Sequence, residues 1–158
     1  MFLSVKCFAY SPSQSEVRVL FHEAATKESS CKKLVSILQP FDETNNALYA
    51  GYKATATMMM AKYVFNPFTK LSNFYKGKSL LEKSISNDKN NLELRFLRFS
   101  IQTNIPSFLG YKSSIGYDKA MLVNNFKAIR DQQLKQLIFA LLINSDNLTA
   151  TEKKLLKA

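Results

Sequence analysis

The chain has little glycine, proline, cysteine or histidine, and each shortage excludes a class of protein. Its 158 residues contain four glycines and four prolines, well below the typical shares of about 7% and 5%. Because these residues make most tight turns, a sandwich or barrel of many strands is excluded. Two cysteines can form at most one disulfide, so the chain is not a disulfide-stapled scaffold. With one histidine and no zinc-ligand spacing, no metal site is expected.

The sequence motifs of the common enzyme classes are missing as well. The four glycines are scattered, so no glycine-rich loop can hold a phosphate. No G-x-S-x-G motif occurs, and His22-Glu23 is not followed by the second histidine of a zinc-protease motif. A helix break separates His22 from Cys31, which gives no geometry for a thiolate pair. We therefore predict that the protein is not an enzyme and has no catalytic residue, metal or cofactor.

What the chain does contain is the composition of a packed helical domain. Hydrophobic residues make up 46% and charged residues 22%, which separates it from disordered chains. A domain of about 150 residues buries roughly 70% of its unfolded surface without metals or disulfides. We predict a single helical domain over residues 16–158, with residues 1–15 outside it.

The N-terminal segment has two interpretations. Residues 1–10 are mostly apolar and a polar stretch follows, as at the end of a secretory signal, but the basic start is missing and Lys6 interrupts the apolar run. Residues 1–15 are either the remnant of a signal peptide that starts upstream of Met1 or a frayed terminus. The protein is exported or periplasmic if residues 1–9 belong to a signal, and cytoplasmic otherwise. No other apolar run reaches the roughly 18 residues that cross a bilayer.

Apolar residues recur at helical spacing along most of the chain, which predicts an all-α fold of seven or eight helices in antiparallel hairpins. The predicted segments are 16–27, a helix capped by Ser29-Ser30 that ends by Leu38, 46–65, 67–87, 92–103, a helix begun by Asp118 that runs on or kinks toward Leu142, and a final helix behind a Thr149–Glu152 capping box. Three consecutive methionines, Met58 to Met60, suggest an adaptable apolar groove. Because consecutive residues point around a helix, core positions are the favoured interpretation.

One segment of the chain shows the spacing of a helical repeat. Bulky and small residues alternate at Phe74, Gly77, Leu81 and Ser84, and the turn Asp88-Lys89-Asn90 follows. Residues 74–91 thereby resemble the second helix and turn of a tetratricopeptide repeat, in which the small residues let helices pack closely. The resemblance implies a degenerate tetratricopeptide-like array, or bundle, that binds peptides between hairpins. Asn91 to Tyr111 also resembles short helical proteins of Bacteroidetes, many of them exported, which implies no activity.

Two arginines one helical turn apart, close to an irregular loop with aromatic residues, form the candidate binding site. Such a set can hold an acidic peptide, a phosphate or a polyanion. The candidate residues are Arg95, Arg98, Tyr111, Lys112 and Tyr117. In the alternative interpretation the arginines lay their stems along the seam of Phe96 and Phe99 and pair within the protein. Their partners would then be Glu82, Asp88 or Glu93.

The positive charge of the chain lies in its middle. Residues 46–130 carry +9 of the net charge of +10, which favours acidic partners. We predict a non-enzymatic protein- or peptide-binding or scaffold module, whose partner is an acidic or amphipathic peptide or protein. The alternative is a binder of nucleic acid or anionic lipid through the basic middle of the chain. Nucleic acid is the less favoured partner, because no basic tail or long lysine run is present.

Overall fold

Eight α-helices and two short 3₁₀ turns, with no strand, make up the part of the chain that the structure describes, residues 11–145 and 148–157 of a computed structural model. The helices are α1 (Gln14–Ala24), α2 (Glu28–Ile37), α3 (Ala47–Met60), α4 (Pro67–Asn87), α5 (Leu92–Asn104), α6 (Ile115–Asn125), α7 (Gln132–Ile143) and α8 (Ala150–Lys157), with 3₁₀ turns at Ser107–Leu109 and Phe126–Ala128. The prediction of an all-α fold is confirmed. Of residues 1–15, for which two interpretations were offered, residues 1–10 lie outside the described residues. The first helix begins at Gln14, capped by Ser13, and ends at Ala24, where residues 16–27 were predicted.

Local sequence signals place several helix starts correctly. The Asn66 side chain accepts hydrogen bonds from the backbone N–H groups of Phe68 and Thr69 at the start of α4, and Asn91 does the same for α5. At α8 the predicted capping box is present. Thr149 N–H donates to the Glu152 carboxylate, and Glu152 N–H donates to the Thr149 hydroxyl. These caps satisfy backbone donors that a helix start leaves unpaired.

The predicted cap of α2 is wrong. The helix begins at Glu28, and Lys27 occupies the cap position without a side-chain hydrogen bond. Ser29 and Ser30 lie inside the first turn, where Ser30 is buried and its hydroxyl donates to Glu23 at 2.7 Å. The serine that resembles a cap in sequence therefore ties α2 to α1.

Two further boundaries differ from the predicted ones. Asp118 does not begin a helix, since α6 already starts at Ile115 and Asp118 is fully buried within it. The segment after α6 neither runs on nor simply kinks, because a 3₁₀ turn intervenes and Asp131 caps a separate helix, α7, by accepting from Leu134 N–H at 3.0 Å.

The central helix, α3, ends at Met60, five residues before the predicted Phe65. The reason lies in the residues that follow. Lys62 donates its ammonium group to the carbonyl of Ala25, and the Tyr63 hydroxyl donates to the carbonyl of Ala24, each at 2.7 Å. The segment after α3 thereby satisfies carbonyls at the end of α1 that the helix leaves without intrahelical partners.

The helix α3 lies at the centre of the bundle and packs on α1, α2, α4 and α5. It is buried around most of its circumference, as its apolar sequence predicts. Its closest partner is α4, which runs antiparallel to it. The α4 residues that resemble repeat positions, Phe74, Gly77, Leu81 and Ser84, are all buried. A Cβ added at Gly77 would lie 2.4 Å from the Ala54 carbonyl oxygen, and one at Gly51 would lie 2.3 Å from Leu94.

We predict that Gly77→Ala destabilises the protein, because the added methyl group meets the backbone of α3 and forces the two helices apart. The expected loss is about 1–3 kcal/mol of unfolding free energy in urea. Gly116→Ala is the matched control, since a Cβ there has no neighbour within 4 Å. That change lies in α6 and should stabilise by up to about 1 kcal/mol. Equal stability of the two variants would contradict the close α3–α4 contact.

Candidate functional site

Arg98 of the predicted site is buried and fully engaged within the protein. Only 6% of its surface is exposed. Its guanidinium group donates to both carboxylate oxygens of Asp118, at 2.7 and 2.8 Å, and to Glu82 at 2.8 Å. Glu82 is one of the partners that the alternative interpretation names. Asp118, which the sequence placed at a helix start, is the other partner.

The remaining predicted site residues surround this ion pair. Arg95 is also buried; it donates to the carbonyl of Lys89 at 3.1 Å and lies 3.5 Å from Asp118. The ring of Tyr117 covers its guanidinium group at 5.2 Å. The Tyr111 hydroxyl donates to Glu82, and burial, followed by the effect of Glu82, raises the pKa of Tyr111 well above its usual range. Lys112 is half-buried beside it.

The structure thus brings Arg95, Arg98, Tyr111 and Tyr117 together, with Lys112 next in the chain. The donors of Arg95, Arg98 and Tyr111 point at acids and carbonyls of the chain itself. These contacts favour the interpretation in which the arginines pair within the protein and hold α5 to α4 and α6.

A second buried ion pair was missed by the sequence analysis. Arg18 of α1 donates to both carboxylate oxygens of Glu93 in α5, at 2.7 and 2.8 Å, and to Asp131 before α7 at 2.8 Å. Tyr52 of α3 donates its hydroxyl to Glu93, and burial raises the pKa of Tyr52 well above its usual range. Arg18 lies between apolar residues at helical spacing, and its partners are 75 or more positions away. No local pattern points to them.

The open space of the molecule lies elsewhere, at one end of the bundle. A cleft of about 1080 Å³ lies between the ends of α1, α3 and α5, the first half of α4, the 3₁₀ turn Ser107–Leu109, and α7. Its lining is largely apolar and includes Phe21, Met58, Phe74, Ile101, Phe108 and Leu141. Met58 is both a core residue and part of this lining, and the half-buried Met59 lines the cleft too. Met58 and Met59 therefore match the two interpretations of the methionine run, as core residues and as part of an apolar groove.

The charged groups of the cleft are cationic. Lys62 and Lys70 lie on its lining together with the exposed His22, and no Asp or Glu belongs to the lining among the described residues. Lys62 is held by the carbonyl of Ala25, whereas the Lys70 side chain extends from the first turns of α4. An anionic group at the mouth would therefore meet favourable charge.

Large apolar side chains are exposed in the cleft lining, at Phe108, and close to the lining residue Pro67 in the chain, at Phe65 and Phe68. Phe65 is 99% exposed, Phe68 81% and Phe108 84%. On α4, the exposed residues Phe68, Leu71 and Tyr75 follow one another at positions i, i+3 and i+7, and Leu71 also lines the cleft. We call Phe68, Leu71 and Tyr75 the α4 stripe.

Comparison of the chain with protein-family models, curated proteins and solved structures gives no match. The resemblance to tetratricopeptide repeats therefore stays a prediction. Within the described residues, none of the helices combines the length and apolar character needed to cross a bilayer. The same residues contain no group of three or more His, Cys, Asp or Glu side chains placed to hold a metal ion.

We predict that Arg98→Met destabilises the protein by about 3–5 kcal/mol, because it leaves the Asp118 carboxylate buried without its main cation. The double variant Arg98→Met with Asp118→Leu should recover much of this loss, since an apolar pair replaces the ion pair. Urea unfolding of the three proteins measures both effects. A mild effect of the single variant would show that Arg98 is not structural and would restore it as a ligand-binding residue.

The cap of α7 should give the protein a measurable dependence on pH. Hydrogen bonds from the backbone of Leu134, and next from Arg18, lower the pKa of Asp131. The charged carboxylate therefore stabilises the fold above its unfolded pKa of about 3.9, and this stabilisation disappears as pH falls through the lower folded value. Asp131→Ala should cost about 1 kcal/mol at pH 7, and the difference from the wild type should shrink below about pH 4. A constant difference from pH 7 to pH 3 would contradict this assignment.

Proposed function

We propose that this chain is a non-enzymatic protein- or peptide-binding module, and that the cleft at the end of the bundle takes up apolar side chains of its partner. The observation that carries the proposal is the cleft itself. It is largely apolar and open to solvent, its lining includes Phe108, which is 84% exposed, and Phe68, which is 81% exposed, follows the lining residue Pro67 in the chain. Exposed aromatic side chains around a concave apolar surface are the usual anchors of protein interfaces.

The chemistry of the lining supports binding over catalysis. Its ionisable side chains among the described residues are His22, Lys62 and Lys70. The two hydroxyls of the lining, Thr26 and Ser100, each donate to a backbone carbonyl three residues earlier in the chain. No thiol or carboxylate belongs to the lining among the described residues, so no pair of nucleophile and base is formed there. Lys62 is further held by its bond to the carbonyl of Ala25.

Burial of the arginines supports a polypeptide partner over nucleic acid. Arg18, Arg95 and Arg98 are each at most 6% exposed and are paired with acids of the chain. Guanidinium groups that contact phosphates must be accessible. The net charge of +9 in residues 46–130 already counts these acids, so it rests on the lysines and Arg130 rather than on the buried arginines.

Selection from a displayed peptide library tests the proposal. Wild-type protein is the bait, and each enriched peptide is then measured against Ala140→Glu, which places a carboxylate at an exposed position of the cleft lining. The matched control is Ala120→Glu, at an exposed position of α6 outside the lining. We expect enriched peptides whose affinity falls about tenfold or more with Ala140→Glu and is unchanged with Ala120→Glu.

Two results would contradict the proposed function. One is a selection that enriches no peptide. The other is a set of peptides that bind both glutamate variants as tightly as the wild type, because their binding surface would then lie away from the cleft.

A further inference from the structure

We infer that the segment bound by the cleft is an amphipathic α-helix with an acidic polar face, which lies along α4. This inference rests on the proposed function and assigns its ligand class. Three observations support it. The apolar surface is elongated, α4 carries an excess of lysines, and the one carboxylate of α4 is hydrogen-bonded inside the fold.

The apolar surface is elongated and follows a helix. The α4 stripe continues the cleft wall, because Leu71 belongs to both. From Phe68 to Tyr75 the stripe extends about 10 Å along α4, or two helical turns. Beyond it, Tyr75 and Leu80 border a shallow depression of about 450 Å³ together with Lys76 and Lys83. A helix with apolar residues at positions i, i+3, i+4 and i+7 can place anchors in the cleft and along the stripe at the same time.

The charge of α4 complements an acidic helix. This helix contains four lysines and a single acid, Glu82. Both carboxylate oxygens of Glu82 accept hydrogen bonds inside the fold, one from Tyr111 and one from Arg98. At 100° per residue the lysines fall on both sides of the α4 stripe. They are Lys70 and Lys78 on one side and Lys76 and Lys83 on the other.

Other occupants with an acidic group fit this surface less well. A bilayer is flat on the scale of the cleft and would leave its volume of about 1080 Å³ unfilled. A single fatty-acid chain can enter the cleft but leaves Phe68 and Tyr75 of the stripe uncovered, with 81% and 53% of their surface exposed. A helix covers the cleft and the stripe together.

The binding test uses the absence of tryptophan from the chain. One peptide of about sixteen residues, four helical turns, carries leucines and one tryptophan on its apolar face and glutamates on its polar face. A second peptide has the same apolar face and lysines in place of the glutamates. We expect the tryptophan emission of the glutamate peptide to shift to the blue on binding, and the lysine peptide to bind at least about tenfold more weakly.

Variants of the protein separate the contribution of charge from that of the apolar surface. Lys70→Glu with Lys76→Glu should weaken binding of the glutamate peptide about tenfold. Lys127→Glu with Lys154→Glu makes the same change in net charge at exposed positions elsewhere and should have little effect. Leu71→Asp should abolish binding, whereas Leu155→Asp, at a similarly exposed leucine of α8, should not. Circular dichroism and thermal melting of each variant verify that it is folded.

The inference is overturned if the lysine peptide binds as tightly as the glutamate peptide, or if the Lys70 and Lys76 changes have no more effect than their control. It is also overturned if phosphatidylserine vesicles or oleate bind while the glutamate peptide does not. The library selection shows whether the proposed function fails together with this inference or survives it. Cleft-dependent peptides that are extended, basic or uncharged would leave the proposed function standing and remove only the acidic helix.

Discussion

Close approach to the central helix is the constraint on which the rest of this fold depends. The helix α3 contacts four others, and at Gly51 and Gly77 the neighbouring atoms already occupy the space that a Cβ would need. Glycine costs helix stability relative to alanine, by about 1 kcal/mol. The packing of α4 and α5 on α3 offsets that cost, because both helices can then bury their apolar faces against the same partner.

Two buried arginine clusters fix how the packed helices are oriented relative to one another. Arg18 fixes α1 relative to α5 and α7, and Arg98 fixes α5 relative to α4 and α6. A hydrophobic interface tolerates sliding and rotation, whereas a bidentate ion pair is satisfied in one geometry. The apolar contacts therefore supply the bulk of the driving force, and the ion pairs restrict the ways in which the helices can be arranged.

Features decided by neighbours in the chain could be predicted, and those decided across the fold could not. The caps at Asn66, Asn91 and Thr149 depend on residues two or three positions away, so the sequence displays both partners. The hydroxyl of Ser30 instead donates to an acid of the preceding helix, which a capping pattern does not reveal. For Arg98 the sequence offered Glu82 as one of three possible partners, but it placed Asp118 at the start of a helix and not beside Arg98. The cleft had no local signal, because five helices contribute to it and only Met58 to Met60 hinted at an apolar surface.

The hydrogen bonds from Lys62 and Tyr63 to the last carbonyls of α1 have a consequence for the entropy of association. The same short linker follows α3 in the chain, contributes Lys62 to the cleft lining, and is tied by these two bonds to the end of α1. A binding surface that is already fixed loses little conformational freedom when a ligand arrives, so more of the interaction energy remains as affinity. The side of the cleft made by α1 and α3 is preorganised before any partner is present. Most of the conformational entropy lost on binding is therefore lost by the partner.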